Sequence, residues 1–132
     1  MTITNPTPST ATKTWYEEFY ARVDALDVAL ADELLTEDTT MTMANHPTDV
    51  GRDAVRAGME HFFAMIKGMH HTFKRVVEDG EFAAIEAICT YTRLDGSTVD
   101  IPVFTAIERR GGRVAAQRVY IDLAPLFTPD AH

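Results

Sequence analysis

A chain of 132 residues with 45% hydrophobic side chains has the size and apolar content of one domain with an ordinary core. Its formal net charge of −8 repels phosphate backbones and anionic lipid surfaces, and the basic pairs Lys74-Arg75 and Arg109-Arg110 form no stripe to offset that repulsion. Nucleic acid and membrane are thereby excluded as expected partners, and a small apolar organic molecule is expected instead. No apolar run approaches the roughly 20 residues of a membrane helix. The N-terminus lacks the charged start and apolar stretch of a signal peptide, and Cys89, the single cysteine, can form no intrachain disulfide. A cytoplasmic location is expected on these grounds.

Residues 1–13 are rich in Thr, Pro, Ser and Ala without apolar period, which predicts a disordered tail ahead of one domain over 14–128. Thr14 with Glu17 three residues on has capping-box spacing. Behind it Trp15, Phe19, Val23 and Leu26 recur at helical spacing, with Tyr16 and Tyr20 on a neighbouring stripe. A short second helix is predicted from about Val28 to Leu35, and a short strand from Met41 to Asn45, ending at Pro47. A third helix is predicted to start near Gly51-Arg52-Asp53, to carry Val55, Met59, Phe62, Phe63 and Ile66, and to stop at Gly68. In the second half the turn signals Asp79-Gly80, Asp95-Gly96 and Gly111-Gly112 separate segments rich in Val, Ile, Thr, Phe and Tyr, the pattern of a four-stranded antiparallel meander. The fold class is therefore α+β, in the order α-α-β-α-β-β-β-β, with a curved antiparallel sheet wrapped around the helices.

Strand alternation assigns the inner face. After Asp95-Gly96, Val99, Ile101, Val103, Thr105 and Ile107 share one side, and their more polar neighbours share the other. If Asp95-Gly96 is a two-residue loop, Leu94 pairs with Ser97, which sets Glu86 opposite Thr105 and Ile88 opposite Val103, both inward. A three-residue loop at Arg110, Gly111 and Gly112 sets Gln117 beside Thr105, with Val119, Ile121 and Leu123 in phase. The same reasoning across Asp79-Gly80 turns His71, Phe73 and Val77 inward; a one-residue error there brings in His70 instead.

The order of these elements, together with Glu37-Asp38-Thr39, Gly51-Arg52-Asp53-Ala54-Val55, Asp95-Gly96 and Tyr120-Ile121-Asp122-Leu123, resembles the nuclear transport factor 2-like superfamily over about residues 15 to 127, in its SnoaL-like branch and near the limonene-1,2-epoxide hydrolases. The resemblance implies a cone-shaped α+β barrel with a deep pocket, often a homodimer, on a fold that hosts isomerases, epoxide hydrolases, polyketide cyclases and non-catalytic binders. The epoxide hydrolases' Asp-Arg-Asp triad is not intact. Its Arg falls at Glu86, the next Asp at Ile88 and the last at Val119. The Tyr and Asn that orient water there fall at Met41 and Met43, with Asn45 a two-residue slip away. The Tyr and two Asp of the similar ketosteroid isomerases fall nearest to Phe19 (beside Tyr20), to Asn45-His46 and to Thr105. The apolar cavity positions carry over better, to Tyr20, Val23, Phe62, Ile66, Ile101, Val103 and Ile121.

Among the candidate groups, Glu86 between Ala84, Ile88 and Ile107 would be a desolvated carboxylate with a raised pKa, suited to general acid–base work; the alternative is a carboxylate tied to an Arg or turned outward by a bulge. His71 or His70 could share its proton, or could be a histidine near solvent. Tyr16 and Tyr20, one turn apart, could both point inward and donate to a ligand oxygen, or be ordinary core tyrosines. Asn45 and His46 are either pocket groups or turn chemistry before Pro47. The methionines, Met43 among them, make an adaptable wall. Asp122 is expected to be structural and Asp100 solvated. No metal spacing, phosphate loop or nucleophile elbow occurs, and no cofactor is called for. The expected function is cofactor-independent proton-transfer chemistry (isomerisation, cyclisation or epoxide-hydrolase-like water addition) on a small apolar substrate. Glu86, His71 and Tyr20 are the catalytic candidates. The alternative is a non-catalytic ligand-binding or accessory domain; a docking module using the open sheet face is a third possibility.

Overall fold

Thr14 does start the first helix: its hydroxyl accepts from the Glu17 N–H at 3.2 Å, and the Glu17 carboxylate accepts from the Thr14 N–H at 2.9 Å. That helix, α1 (Trp15–Asp24), buries Tyr16, Phe19 and Tyr20. The chain, a computed structural model describing residues 2–4 and 13–127, continues through α2 (Leu30–Leu34), β2 (Leu35–Met43), β3 (Asp49–Val50), α3 (Arg52–Phe63), β4 (Gly68–Asp79), β5 (Phe82–Thr92), β6 (Thr98–Arg110), β7 (Arg113–Ile121) and α4 (Ala124–Phe127). At the head of α3 the Arg52 guanidinium donates to the Leu35 carbonyl at 3.0 Å, tying the helix start to the start of β2.

Ahead of α1, β1 (Thr2–Thr4) pairs antiparallel with Val76–Glu78 of β4. Three positions of the expected tail are thus a strand, because the free edge of β4 can be paired by any extended backbone, apolar period or not. The rest of the tail, residues 1 and 5–12, and residue 128 lie outside the described residues. The sheet order is β1-β4-β5-β6-β7-β2-β3. Tight hairpins oblige β4 to β7 to alternate in direction, as expected. The first predicted strand is longer than Met41–Asn45 and runs parallel to β7, pairing Met41 with Gln117 and Met43 with Val119, so the sheet is mixed. No hairpin joins β2 to β7, and nothing local fixes their relative direction.

Register decides which residues reach the interior. The inner set on β6 is as expected: Ile101, Val103, Thr105 and Ile107 are buried. On β5 the expectation fails by one residue. Thr92 pairs with Thr98, and the loop is closed by Arg93 N–H to the Ser97 carbonyl (2.7 Å) and Gly96 N–H to the Arg93 carbonyl (2.9 Å). Leu94, Asp95 and Gly96 form the loop, with Gly96 at φ +90°, a conformation that favours glycine. The extra residue makes Glu86 pair with Phe104, and Ile85, Ala87, Cys89 and Tyr91 turn inward.

On β4 a bulge at Lys74 leaves His71 and Phe73 inward but brings in Val76 instead of Val77. At the last hairpin Arg110 pairs with Arg113 across Gly111-Gly112, and a bulge after Glu108 restores parity. Gln117 consequently stays inward, opposite Ile107 rather than Thr105. The interior divides into one cluster around Tyr16, Phe19, Leu30, Val55, Ile85 and Ile107 and another around Cys89, Tyr91, Ile101, Val103 and Leu126.

Candidate functional site

Between α1, α3, α4 and the concave sheet face lies a cavity of about 1340 Å³. Drug-sized ligand pockets run from roughly 300 to 1,000 Å³, so this one has room for an extended organic molecule. Its walls are largely apolar: Phe19, Val23 and Leu30 from the first helices, Met59, Phe62 and Phe63 from α3, Val103, Val119 and Ile121 from the strands, and Leu123 and Phe127 from the C-terminal segment. Among the described residues, no Lys or Arg lines it.

Polar groups on one side of this cavity converge on His71. Asp24, the last residue of α1, accepts from the His71 backbone N–H through Oδ2 at 2.8 Å, and its Oδ1 lies 2.7 Å from His71 Nδ1. An ionised carboxylate only accepts, so Nδ1 carries the proton in this pair and the neutral ring is left with Nε2 as its basic atom. Nε2 has no hydrogen-bond partner among the described residues and is not fully enclosed. The His71 side chain is only 8% exposed and lines the cavity, while the Asp24 side chain is 16% exposed.

Tyr20 sits against the imidazole with ring centroids 4.5 Å apart, with the Thr105 hydroxyl near its phenol. Burial drives its phenol far above the ordinary range, and Asp24 and Cys89 add to the shift; the nearby Thr105 hydroxyl opposes it. Tyr91, stacked edge-on against Phe62 at 5.9 Å, is raised in the same way, first by burial and then by Cys89. Both phenols therefore remain donors at any ordinary pH. Burial also pushes the Cys89 thiol up to about 12, which makes it a poor nucleophile near neutrality.

Of the expected catalytic residues, His71 and Tyr20 meet in this cavity and Glu86 does not. Glu86 is exposed on the outer sheet face beside Lys74, Ile88, Pro102, Phe104 and Tyr120, because of the three-residue turn at Leu94–Gly96. Ile88 is on the outer face for the same reason. His70 points outward, 74% exposed, with its Nδ1 3.7 Å from Asp24 Oδ2. Tyr16 is core, edge-on to Trp15 and Phe73, and Ile66 and Ile101 are buried behind the cavity wall rather than in it. Val23, Met43, Asn45, His46, Phe62, Val103, Thr105, Gln117, Val119 and Ile121 do line it, with Asn45 and His46 exposed at the β2–β3 turn. Asp122 also lines the cavity and accepts from the Ala124 N–H, and Asp100 accepts from the Thr90 hydroxyl outside.

Asp24 and Tyr91 were missed. Asp24 continues the Tyr16, Tyr20 stripe by one more turn, a signal present in the spacing; Tyr91 was hidden by the parity error. Among the described residues, no group of three His, Cys, Asp or Glu side chains is placed to hold a metal ion, and no helix is long and apolar enough to cross a membrane.

The fold is shared with solved structures of low sequence identity. A putative SnoaL-like polyketide cyclase from Jannaschia is 17% identical, with 93% of this chain and 96% of that one covered and a TM-score of 0.71. A protein of ketosteroid isomerase-like fold from Catenulispora acidiphila, in complex with trimethylamine, is 22% identical over 86% of this chain and 89% of that one, with a TM-score of 0.74. An LEH-like epoxide hydrolase from M. tuberculosis is 18% identical over 86% and 84%, at 0.72. No curated protein sequence matches the chain. The family model described as a SnoaL-like domain matches residues 16–117, and the chain belongs to that family.

Proposed function

We propose that the protein is a cofactor-independent enzyme that moves a proton on a small, mostly apolar organic substrate, in the manner of an isomerase or cyclase. The observation that carries this reading is the Asp24–His71 pair, whose Nε2 has no partner among the described residues while its ring lines the cavity. Nε2 takes a proton from an acidic C–H or from a water beside the substrate. Asp24 holds the tautomer and steadies the imidazolium that forms. Tyr20, kept protonated by burial, donates to oxygen charge developing on the substrate. The ligand-bearing and enzymatic neighbours of the same fold agree with a small organic partner.

The test is deuterium uptake alpha to the carbonyl of 2-tetralone in D2O, followed by proton NMR. The native protein is expected to accelerate it, and His71→Asn to lose about 10²–10⁴-fold of that acceleration. Equal exchange in the two proteins would remove the base role. Binding of the ketone without exchange in either would favour the non-catalytic binder.

The same reading includes a cytoplasmic homodimer joined through the outer sheet face. Half-exposed Phe104 and Tyr120 adjoin Ile88 and Pro102 there, and Lys74 and Glu86 offer opposite charges to a twofold-related copy. Light scattering should give a dimer for the native chain and a monomer for Phe104→Glu.

A further inference from the structure

Gln117 is 6% exposed, on β7 between Met41 of β2 and Ile107 of β6. Its side-chain amide hydrogen-bonds to none of the described residues. It is also not among the sealed polar atoms, and it lines the cavity, so its open side is the cavity. A buried amide left unpaired is costly, and one that faces a ligand space is satisfied when the ligand supplies the partner. We propose that Gln117 is the specificity-determining residue of the cavity, selecting neutral ligands by a carbonyl-type group, best one that carries its own N–H or O–H, such as a carboxamide, a lactam or an enol.

The chemistry of the surroundings fixes this class. An amide offers one acceptor and two donors, and a carboxamide returns both kinds of group. A carboxylate is disfavoured, because among the described residues no Lys or Arg lines the cavity and Asp49 and Asp122 do. An ammonium gains no charge pairing from the strand neighbours of Gln117, which are Met41, Ile107, Thr105 and Val119. Position sets the ligand's orientation. Thr105 is the diagonal neighbour of Gln117 on the paired strands, at about 7–8 Å. Tyr20 lies beside Thr105 and packs on the His71 ring. The polar groups thus form a path from the base to the amide with apolar wall on either side. A ligand that reaches both is extended, with its reacting atom at His71 and its carbonyl group at the far end. This inference rests on the cavity being a ligand site and does not require His71 to react.

The test measures displacement of the neutral dye N-phenyl-1-naphthylamine by 2-naphthamide and by 2-methylnaphthalene, together with melting temperatures. The native chain is expected to prefer the amide by about tenfold or more. Gln117→Met should erase that preference, bind the hydrocarbon at least as well, and melt no lower, since no protein hydrogen bond is lost. His71→Asn should keep the preference, which separates this role from proton transfer. A native chain with no preference or no binding, a Gln117→Met that keeps the preference, or one that melts several degrees lower would each overturn the proposal, the last by showing the amide to be structural.

Discussion

The two faces of β5 differ far more in environment than in composition. Inward are Ala83, Ile85, Ala87, Cys89 and Tyr91, all buried; outward are Phe82, Ala84, Glu86, Ile88 and Thr90. Each face is mostly apolar, so hydrophobicity alone does not choose between them. β6 is the contrast: Ile101, Val103, Thr105 and Ile107 face Pro102, Phe104 and Glu108 across the strand, and parity is plain. Where the pattern is weak, the turn chooses the face. One residue more in the loop at Leu94–Gly96 moves a carboxylate from the cavity to solvent and a tyrosine from solvent to the cavity.

That contrast can be broken by experiment. The largest stability effect is expected for Ile85→Ala, about 2–5 kcal/mol by urea unfolding, because the inner site is filled and cannot collapse. Ile88→Ala on the outer face should cost well under half of that at monomer concentrations, and equal costs would contradict the register.

A second effect is on alkaline stability. Cys89, Tyr20 and Tyr91 hold their protons above their ordinary values of 9.0 and 10.0, chiefly through burial. In the unfolded chain they release them from about pH 9 upward. The folded state then binds more protons than the unfolded one, so stability is full below that pH and falls as pH rises. Melting temperature recorded from pH 8 to 11.5 should decline, and the decline should be shallower in Cys89→Ala.

Gly96→Ala places a side chain at φ +90° and should cost about 1–2 kcal/mol, with the register kept. The smallest effect is expected for Glu86→Gln, within about 0.5 kcal/mol, with deuterium exchange on 2-tetralone unchanged. A lost exchange rate in that variant would return Glu86 to the interior.

Much of the architecture was legible. The capping box, the helical stripes and the turn dipeptides located α1, α3 and the meander. Strand alternation points Thr105 and Gln117 inward, and His71 with His70 as its alternative, while helical spacing points Tyr20 inward. Short edge strands, the bulge at Lys74 and the parallel direction of β2 were not legible, since they depend on pairing with distant backbone rather than on local pattern. Asp24 lay on a readable stripe, but an acidic residue at a helix end is ordinarily solvated, and only its distance to His71 distinguishes it.

By itself the sequence determined the fold class, the apolar character of the inner strand and helix faces, and the net acidic charge, because these follow from composition and period. Tertiary structure alone decided which carboxylate lies against His71. Loop length, bulges and helix placement bring Asp24 to His71 across 47 positions of chain and send Glu86 outward, and a side-chain period of two makes each such choice all or nothing.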